Sequence, residues 1–433
     1  MRKLMTTAAA AAMTLALSLV CTRSSAQITK ELVEQNPYLT AGVHHPYITS
    51  EIHDTPAPKG FKPFYVTHYG RHGSRYQTSD RFYRKNTPWL VELGQKGLLT
   101  PKGEKLRDEM IWLQQEHKGV EGTLTARGGF EQQGLAERLY DRCPEIFRQK
   151  DRKVVTSRST NVHRVIQSMG NFNMGLKGRQ PDLQMSILTG DRYWDVLCHS
   201  TKDIERPEKA RMNEVLDSLH EVYQAQLHPE DFFTDLNAVK ELTGKSAARF
   251  EYDLFVATHI LKTLDDIQGH DPLALFSTDD LVACGRLYNC ELITWFIHSK
   301  EGGICLDTTV GRPIVRDMLR TADAAIAGND HCADLRFGHD SGVAPLLCLL
   351  QVGDYAKNLH IWEAPDEWPA YRNLCMCTNV QLIFYRNRKG EVLVKVLHNE
   401  QEVLVGPSCP VYSGPYYRWE DMRAYLESRL TDN

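Results

Sequence analysis

The chain is expected to fold as an α/β protein: an open sheet flanked by helices, carrying an additional mainly α-helical domain. Three observations point there. Between residues 61 and 199, short β-branched and aromatic runs alternate with amphipathic stretches. From about 200 to 330 the pattern is almost wholly helical, with no strand-like alternation. Two alternating runs then return at 377–386 and 391–398, either side of the turn sequence "NRKG".

Each element has its own signal. Phe61 to Thr67 is aromatic and β-branched, and reads as a strand that ends at a knot of charge, "RHGSR". Residues 125–142 open at Thr125 as a cap and place Leu135, Leu139 and Tyr140 at helical spacing. Residues 153–157 form a short strand, and Asn161 to Leu176 a helix opened by Ser159, Thr160 or Asn161. Long helices are expected at 207–227, 246–267, 272–298 and 308–327. Residues 334–339 read as extended, followed by a helix over "SGVAPLLCLLQ" that Ser341 could cap. The organisation expected is therefore 1–26 as a signal peptide, 27–60 as an irregular arm, 61–199 with 331–433 as the α/β domain, and 200–330 as the helical domain.

The signal peptide rests on Arg2 and Lys3, an apolar run from Ala8 to Val20, and small residues Ser24, Ser25 and Ala26 before Gln27. That run is too short to span a membrane, so export to a periplasm or the extracellular space is expected, with a lipid anchor at Cys21 as a minor alternative. Ten further cysteines in an exported chain predict disulfides. A net charge of -4 provides no basic field for nucleic acid, so a cluster of cations must serve a local partner. His44, His45 and His53 in the arm lack carboxylates or cysteines at ligand spacing, and Cys284/Cys290 and Cys375/Cys377 lack zinc spacing; no metal site is expected. Oligomeric state has no signal in the sequence.

Three polar clusters share one placement, the end of a strand before a loop or helix: Arg71 to Arg75, Arg158 to Arg164, and His339-Asp340. In open α/β sheets that edge is where ligands bind. Cations crowded there repel unless an anion separates them, and guanidinium forks and helix N-termini both match phosphate oxygens. A neutral imidazole at His72 could attack phosphorus directly, with neighbouring cations holding its pKa down. Asp340 could protonate the leaving oxygen and then draw a proton from water. His68, three residues before the motif, is read as a hydrogen-bonded structural residue.

"RHGSR" resembles the RHGxR signature of the histidine phosphatase superfamily. "GHD" at 338–340 is similar to the His-Asp pair of its histidine acid phosphatase branch, and "RSTNVHRVIQS" at 158–168 to that branch's middle motif. "TNVQLIFYRN" at 378–387 resembles the strand that follows the donor. "HDSGVAPLLCLL" is similar to the multiple inositol polyphosphate phosphatases, although Asp directly after His matches acid phosphatases and other phytases. The resemblance implies a phosphoglycerate-mutase-like sheet and an exported phosphomonoesterase working through a phosphohistidine, with no cofactor and no metal. It implies His72 as nucleophile, Arg71, Arg75, Arg164 and His339 as the phosphate clamp, Asp340 as proton donor, and Arg158 in support behind the clamp. Inositol polyphosphates such as phytate are the expected small-molecule substrates, for which Arg81, Arg84 and Lys85 could supply extra cations. Sugar phosphates or broad acid phosphatase activity are the alternative, and a secreted phosphate-binding protein without turnover a distant one.

Overall fold

The computed structural model describes residues 27–197, 208–303 and 311–430. The expected signal segment and Cys21 lie outside the described residues. An eight-stranded mixed sheet organises the chain, in the order β10-β8-β7-β1-β6-β2-β3, with β9 beside β8. In sequence these are β1 (Lys62–Arg71), β2 (Val154–Ser159), β3 (Gln184–Thr189), β6 (His331–Gly338), β7 (Asn379–Arg386), β8 (Val392–His398), β9 (Gln401–Val403) and β10 (Tyr416–Arg418). A two-residue pair, β4 (His298–Ser299) and β5 (Gly302–Gly303), interrupts the block expected to be purely helical.

Strands β1, β6, β2 and β3 run parallel, and β7, β8 and β10 continue antiparallel from β1. The expected hairpin at "NRKG" joins β7 to β8. Register sets the function. Arg71 lies opposite Gly338, and Ser159 opposite Phe337, so the three charged clusters emerge together where the parallel strands end.

Alternation along β1 serves two cores. Val66 packs with Leu135, Leu139, Met169, Phe172 and Phe337 under the helices Ala126–Arg142 and His163–Arg179. Tyr65 and Tyr69 face the other way, into one apolar cluster that continues without a break into the helical block through Ile314, Leu346, Leu287 and Phe250. The helix Gly311–Ala327 lies against this second face. The last helix, Trp419–Ser428, is fastened by Trp419, whose ring meets Phe384 at 4.9 Å.

Several boundaries differ from expectation. The arm is not wholly irregular: Lys30–Gln35 is α-helical and Pro37–His44 is 3-10 helix. The helix after β2 starts at His163 with Val162 as its uncapped entry, and the helix after β6 starts at Asp340 with His339 at the N-cap, so Ser341 does not cap it. Before the first of these helices Thr160 meets His339 at 3.1 Å, while Asn161 bonds Asp191.

The expected disulfides do not appear among the described residues. Cys143, Cys284, Cys290, Cys332, Cys348, Cys375, Cys377 and Cys409 are buried free thiols; Cys198 and Cys305 lie outside the described residues. Burial pushes Cys143 and Cys332 up to about 12, so they sit as small apolar groups. Among the described residues, the core uses its cysteines as packing.

His68 is also corrected. Its ring packs between Phe172 and Phe337, at 5.1 and 5.5 Å, and both ring nitrogens are buried without a hydrogen-bond partner among the described residues. Burial, with Arg336 adding to it, lowers its pKa to about 3. The unfolded chain takes up this proton near pH 6.5 and the folded chain only near 3, so stability falls as pH drops through that window. His68→Leu removes two unpaired polar atoms at similar volume and should stabilise the fold by about 1–3 kcal/mol. The gain should grow from pH 7 to pH 4. Denaturant midpoints at both pH values check this; an equal or lower midpoint for the variant at pH 4 would show that the imidazole is satisfied.

Candidate active site

The site is built at the ends of β1, β2 and β6. His72 follows β1 directly; its backbone N–H donates to Gly338 O at 3.1 Å, and its own carbonyl accepts from Cys377 N at 3.0 Å. Its ring is held by Nδ1 against Gly73 O at 2.9 Å. A carbonyl can only accept, so Nδ1 carries the hydrogen and Nε2 presents a lone pair. Burial first, then Arg164, Arg71, Arg75 and His339, hold the pKa of His72 well below the usual 6.5. A neutral imidazole with a fixed free nitrogen is the form a nucleophile needs.

Three guanidiniums surround it. Arg71 is fully buried, donating Nη1 to Val43 O at 2.7 Å and Leu374 O at 2.9 Å, with Nη2 2.7 Å from Asp340 Oδ2. Arg75 donates to Tyr76 O at 3.0 Å, and burial with Arg164 and Arg71 nearby lowers it to about 9. Arg164, in the first turn of its helix, is lowered to about 10, mainly by burial. The Nε atoms of all three are buried without a hydrogen-bond partner among the described residues. Orphaned cationic donors of this kind are costly, and an anion is the group that satisfies them.

His339 stands across from His72, ring centroids 5.6 Å apart and edge to face. Arg164 Nη2 lies 3.4 Å from its Nδ1, and Thr160 Oγ1 lies 3.1 Å from its Nε2. Asp340 opens the next helix, and its Oδ1 accepts from Ser341 N at 2.9 Å. His72, Arg71, Arg75, Arg164, His339 and Asp340 thus meet, although they come from three distant parts of the chain.

The other candidates divide. Arg158 points away into a buried ion cluster, 2.6 Å from Asp317 Oδ2, where Arg336 also binds. Burial would raise the Asp317 carboxyl, but Arg336 and Arg158 outweigh it and bring it to about 2. Arg158 therefore braces β2 and β6. Arg81 lines the cavity of about 370 Å³ that opens on Arg75 and Asp340. Arg84 is exposed beside Asp80, and Lys85 lies over the Trp89 ring, so neither reaches the cavity wall.

Sequence reasoning missed much of the surround. His44, Arg249, Tyr252, His259, Tyr288 and Trp295 also line the cavity. Glu131 accepts from Ser74 N and Oγ at 2.8 Å each, Ser168 Oγ accepts from Gly73 N at 3.0 Å, and Gln132 Nε2 donates to Arg71 O at 2.9 Å. One signal was available: the glycine pair in "TARGG". A Cβ on Gly128 would lie 2.1 Å from Ser74 O, so only glycine lets this helix touch the motif loop.

The chain was compared with known proteins. A family model described as the histidine phosphatase superfamily (branch 2) matches residues 69–284, which include "RHGSR" and "RSTNVHR". No curated protein sequence matches the chain. Among solved structures, the multiple inositol polyphosphate phosphatase of Bifidobacterium longum in complex with phosphate is similar, with TM-score 0.73 and 16% identity over 90% of this chain and 98% of that one. The same enzyme in complex with inositol hexasulfate gives 0.70 and 17%, over 89% and 97%. The phytase from D. castellii gives 0.65 and 16%, over 92% and 87%. At these identities the likeness is one of fold.

Gly128→Ala should push the motif loop off the helix without touching a charged group. A loss of about 1–3 kcal/mol in stability is expected from the overpacking. Phosphate affinity should fall with it, read by thermal melts with and without inorganic phosphate. A variant with unchanged melting and unchanged phosphate shift would show that the contact is slack.

Proposed function

This chain belongs to branch 2 of the histidine phosphatase superfamily, the phosphoric monoester hydrolases that its fold matches, and on that premise we propose that it is an exported phosphatase acting through a phosphohistidine, with inositol polyphosphates as substrates. One observation carries the reading: the lone pair of a neutral His72 sits among three buried guanidiniums, and one of them, Arg75, lines a cavity together with Asp340.

The chemistry balances within these residues. Arg71, Arg75, Arg164 and His339 hold the phosphoryl oxygens while His72 Nε2 attacks phosphorus and the ester P–O bond breaks. Asp340, entering as the carboxylic acid, gives its proton to the leaving oxygen. The carboxylate then takes a proton from water, whose oxygen attacks the phosphohistidine and releases phosphate.

The substrate reading draws support from Arg81 and Arg249 on the cavity wall, since additional phosphates need additional cations. Asp253 and Glu291 stand on the same wall, with Asp253 Oδ1 3.3 Å from Arg249 and Glu291 2.9 Å from His220. These acids favour a second reading, a phosphatase of sugar phosphates or of phosphomonoesters broadly. Export rests on the pattern of Arg2, Lys3, Ala8 to Val20 and Ser24 to Ala26.

Phosphate release by the chain starting at Gln27, from phytate, glucose 1-phosphate and bisphosphoglycerate, separates these readings. Phytate should lead, and His72→Ala should lower release by about 10³-fold or more. Activity that survives in His72→Ala defeats the mechanism. The pH profile gives a second check. An ordinary imidazole would lose about thirty-fold of its neutral form between high pH and pH 5. Because His72 is held well below 6.5, kcat/KM should fall far less than that on the way to pH 5.

A further inference from the structure

The paired histidines of the arm found no use in the reading above, yet the structure carries one of them into the site. Gly42 turns the 3-10 run at φ 54, a conformation that favours glycine, and packs so closely on the helix Thr278–Phe296 that a Cβ would lie 2.7 Å from Leu292 Cδ1. The next three residues are then stitched to the catalytic loop. Val43 O accepts from Arg71 Nη1 at 2.7 Å, His44 Nε2 lies 3.3 Å from Arg75 Nη2, and His45 O accepts from Met376 N at 2.9 Å.

Proton positions follow from what each group can do. Arg75 only donates, so His44 Nε2 accepts and Nδ1 carries the hydrogen. That hydrogen points to His259 Nε2 at 2.8 Å, which must accept, leaving the hydrogen of His259 on its buried Nδ1. Tyr288 Oη lies 3.2 Å from the same His44 Nδ1, and the two imidazoles stack at 4.7 Å. His44 thus faces Arg75 and Arg71 on one side and His259 and Tyr288 on the other, and His44, Arg75, His259 and Tyr288 all line the cavity.

We propose that His44 is a positioning residue for phosphate binding: through a neutral lone pair it aims the Arg75 guanidinium at the phosphate, while His259 fixes its tautomer. The inference rests on the reading of Arg75 as part of the phosphate clamp. Its physical basis is charge. Arg75 is buried, and among the described residues it has no carboxylate at ion-pair distance; its acceptors are Tyr76 O, Gln77 Oε1 at 3.5 Å and His44. A carboxylate in the place of His44 would hold the fork as well, but would neutralise the charge that has to attract phosphate. An imidazole orients the cation and leaves its charge available.

The test uses the whole mature chain and inorganic phosphate as inhibitor and ligand. His44→Phe keeps the ring stack and removes the lone pair; the phosphate inhibition constant and KM should each rise about ten-fold, with kcat changing much less. His44→Gln keeps an acceptor and should restore affinity to within about three-fold of the parent. His44→Glu should bind phosphate worse than His44→Phe, a result that packing alone cannot produce. If His44→Phe does not fold, His259→Phe replaces it: freeing the tautomer should still weaken phosphate about three-fold. Equal phosphate constants for the parent and His44→Phe, or equal losses in the Phe and Gln variants, overturn the proposal. Failure of the parent to bind phosphate at all would instead overturn the functional reading beneath it.

Discussion

Repulsion among buried cations is the constraint around which this molecule is arranged. Arg71, Arg75 and Arg164 are brought out of water into one small volume, and Asp340 is the carboxylate placed against them. Such an assembly cannot hold itself together electrostatically. It is held by geometry imposed from outside: backbone carbonyls of Val43, Leu374 and Tyr76, and the rigid ends of parallel strands that cannot splay without breaking the central ladder. The two apolar cores, one on each sheet face, supply the free energy that keeps those strand ends in place.

That constraint explains the local oddities. The motif loop must lie tight against the helix Ala126–Arg142, which is why Gly128 has no side chain and why Glu131 reaches back to Ser74. The N-terminal arm crosses the molecule to deliver two carbonyls and an imidazole, all uncharged. Where charges can pair freely, the fold behaves ordinarily: Arg158, Asp317 and Arg336 form a buried ion cluster one step back from the site, and a carboxylate there costs the phosphate nothing.

How much of this could be read from the residues follows the same division. Strands with short-range signals were visible: the aromatic run before "RHGSR", the hairpin at "NRKG" and the capped helix at Thr125 all appear where local preference and tertiary need agree. The six residues that meet at the strand ends were visible because charge at a strand end conflicts with burial, and that conflict is written in the residues themselves. His44, Arg249 and Tyr288 were not, because they reach the cavity from a 3-10 arm and two helices whose approach depends on packing across long separations. His68 misled for a related reason. A histidine beside a catalytic motif is expected to be satisfied, and only the finished core places Phe172 and Phe337 where a partner would be. The eight described cysteines are free thiols, and a count could not tell that, because oxidation state is a property of compartment and contact.

The same arrangement means that the proposed clamp and the proposed nucleophile cannot be tuned apart. Burial sets the low pKa of His72, but Arg164, Arg71 and Arg75 deepen it, and these are the groups proposed to face the phosphate. Any change that removes a guanidinium weakens the grip on the anion and at the same time relaxes the field that keeps the imidazole neutral. Any change that adds a carboxylate beside an arginine does both as well, with the sign of each effect the same. Neutral acceptors escape this coupling, since they orient a cation without altering the potential at His72. The preference for a carbonyl, an amide and an imidazole around Arg75 is therefore what the chemistry of a cationic site with the proposed neutral nucleophile requires.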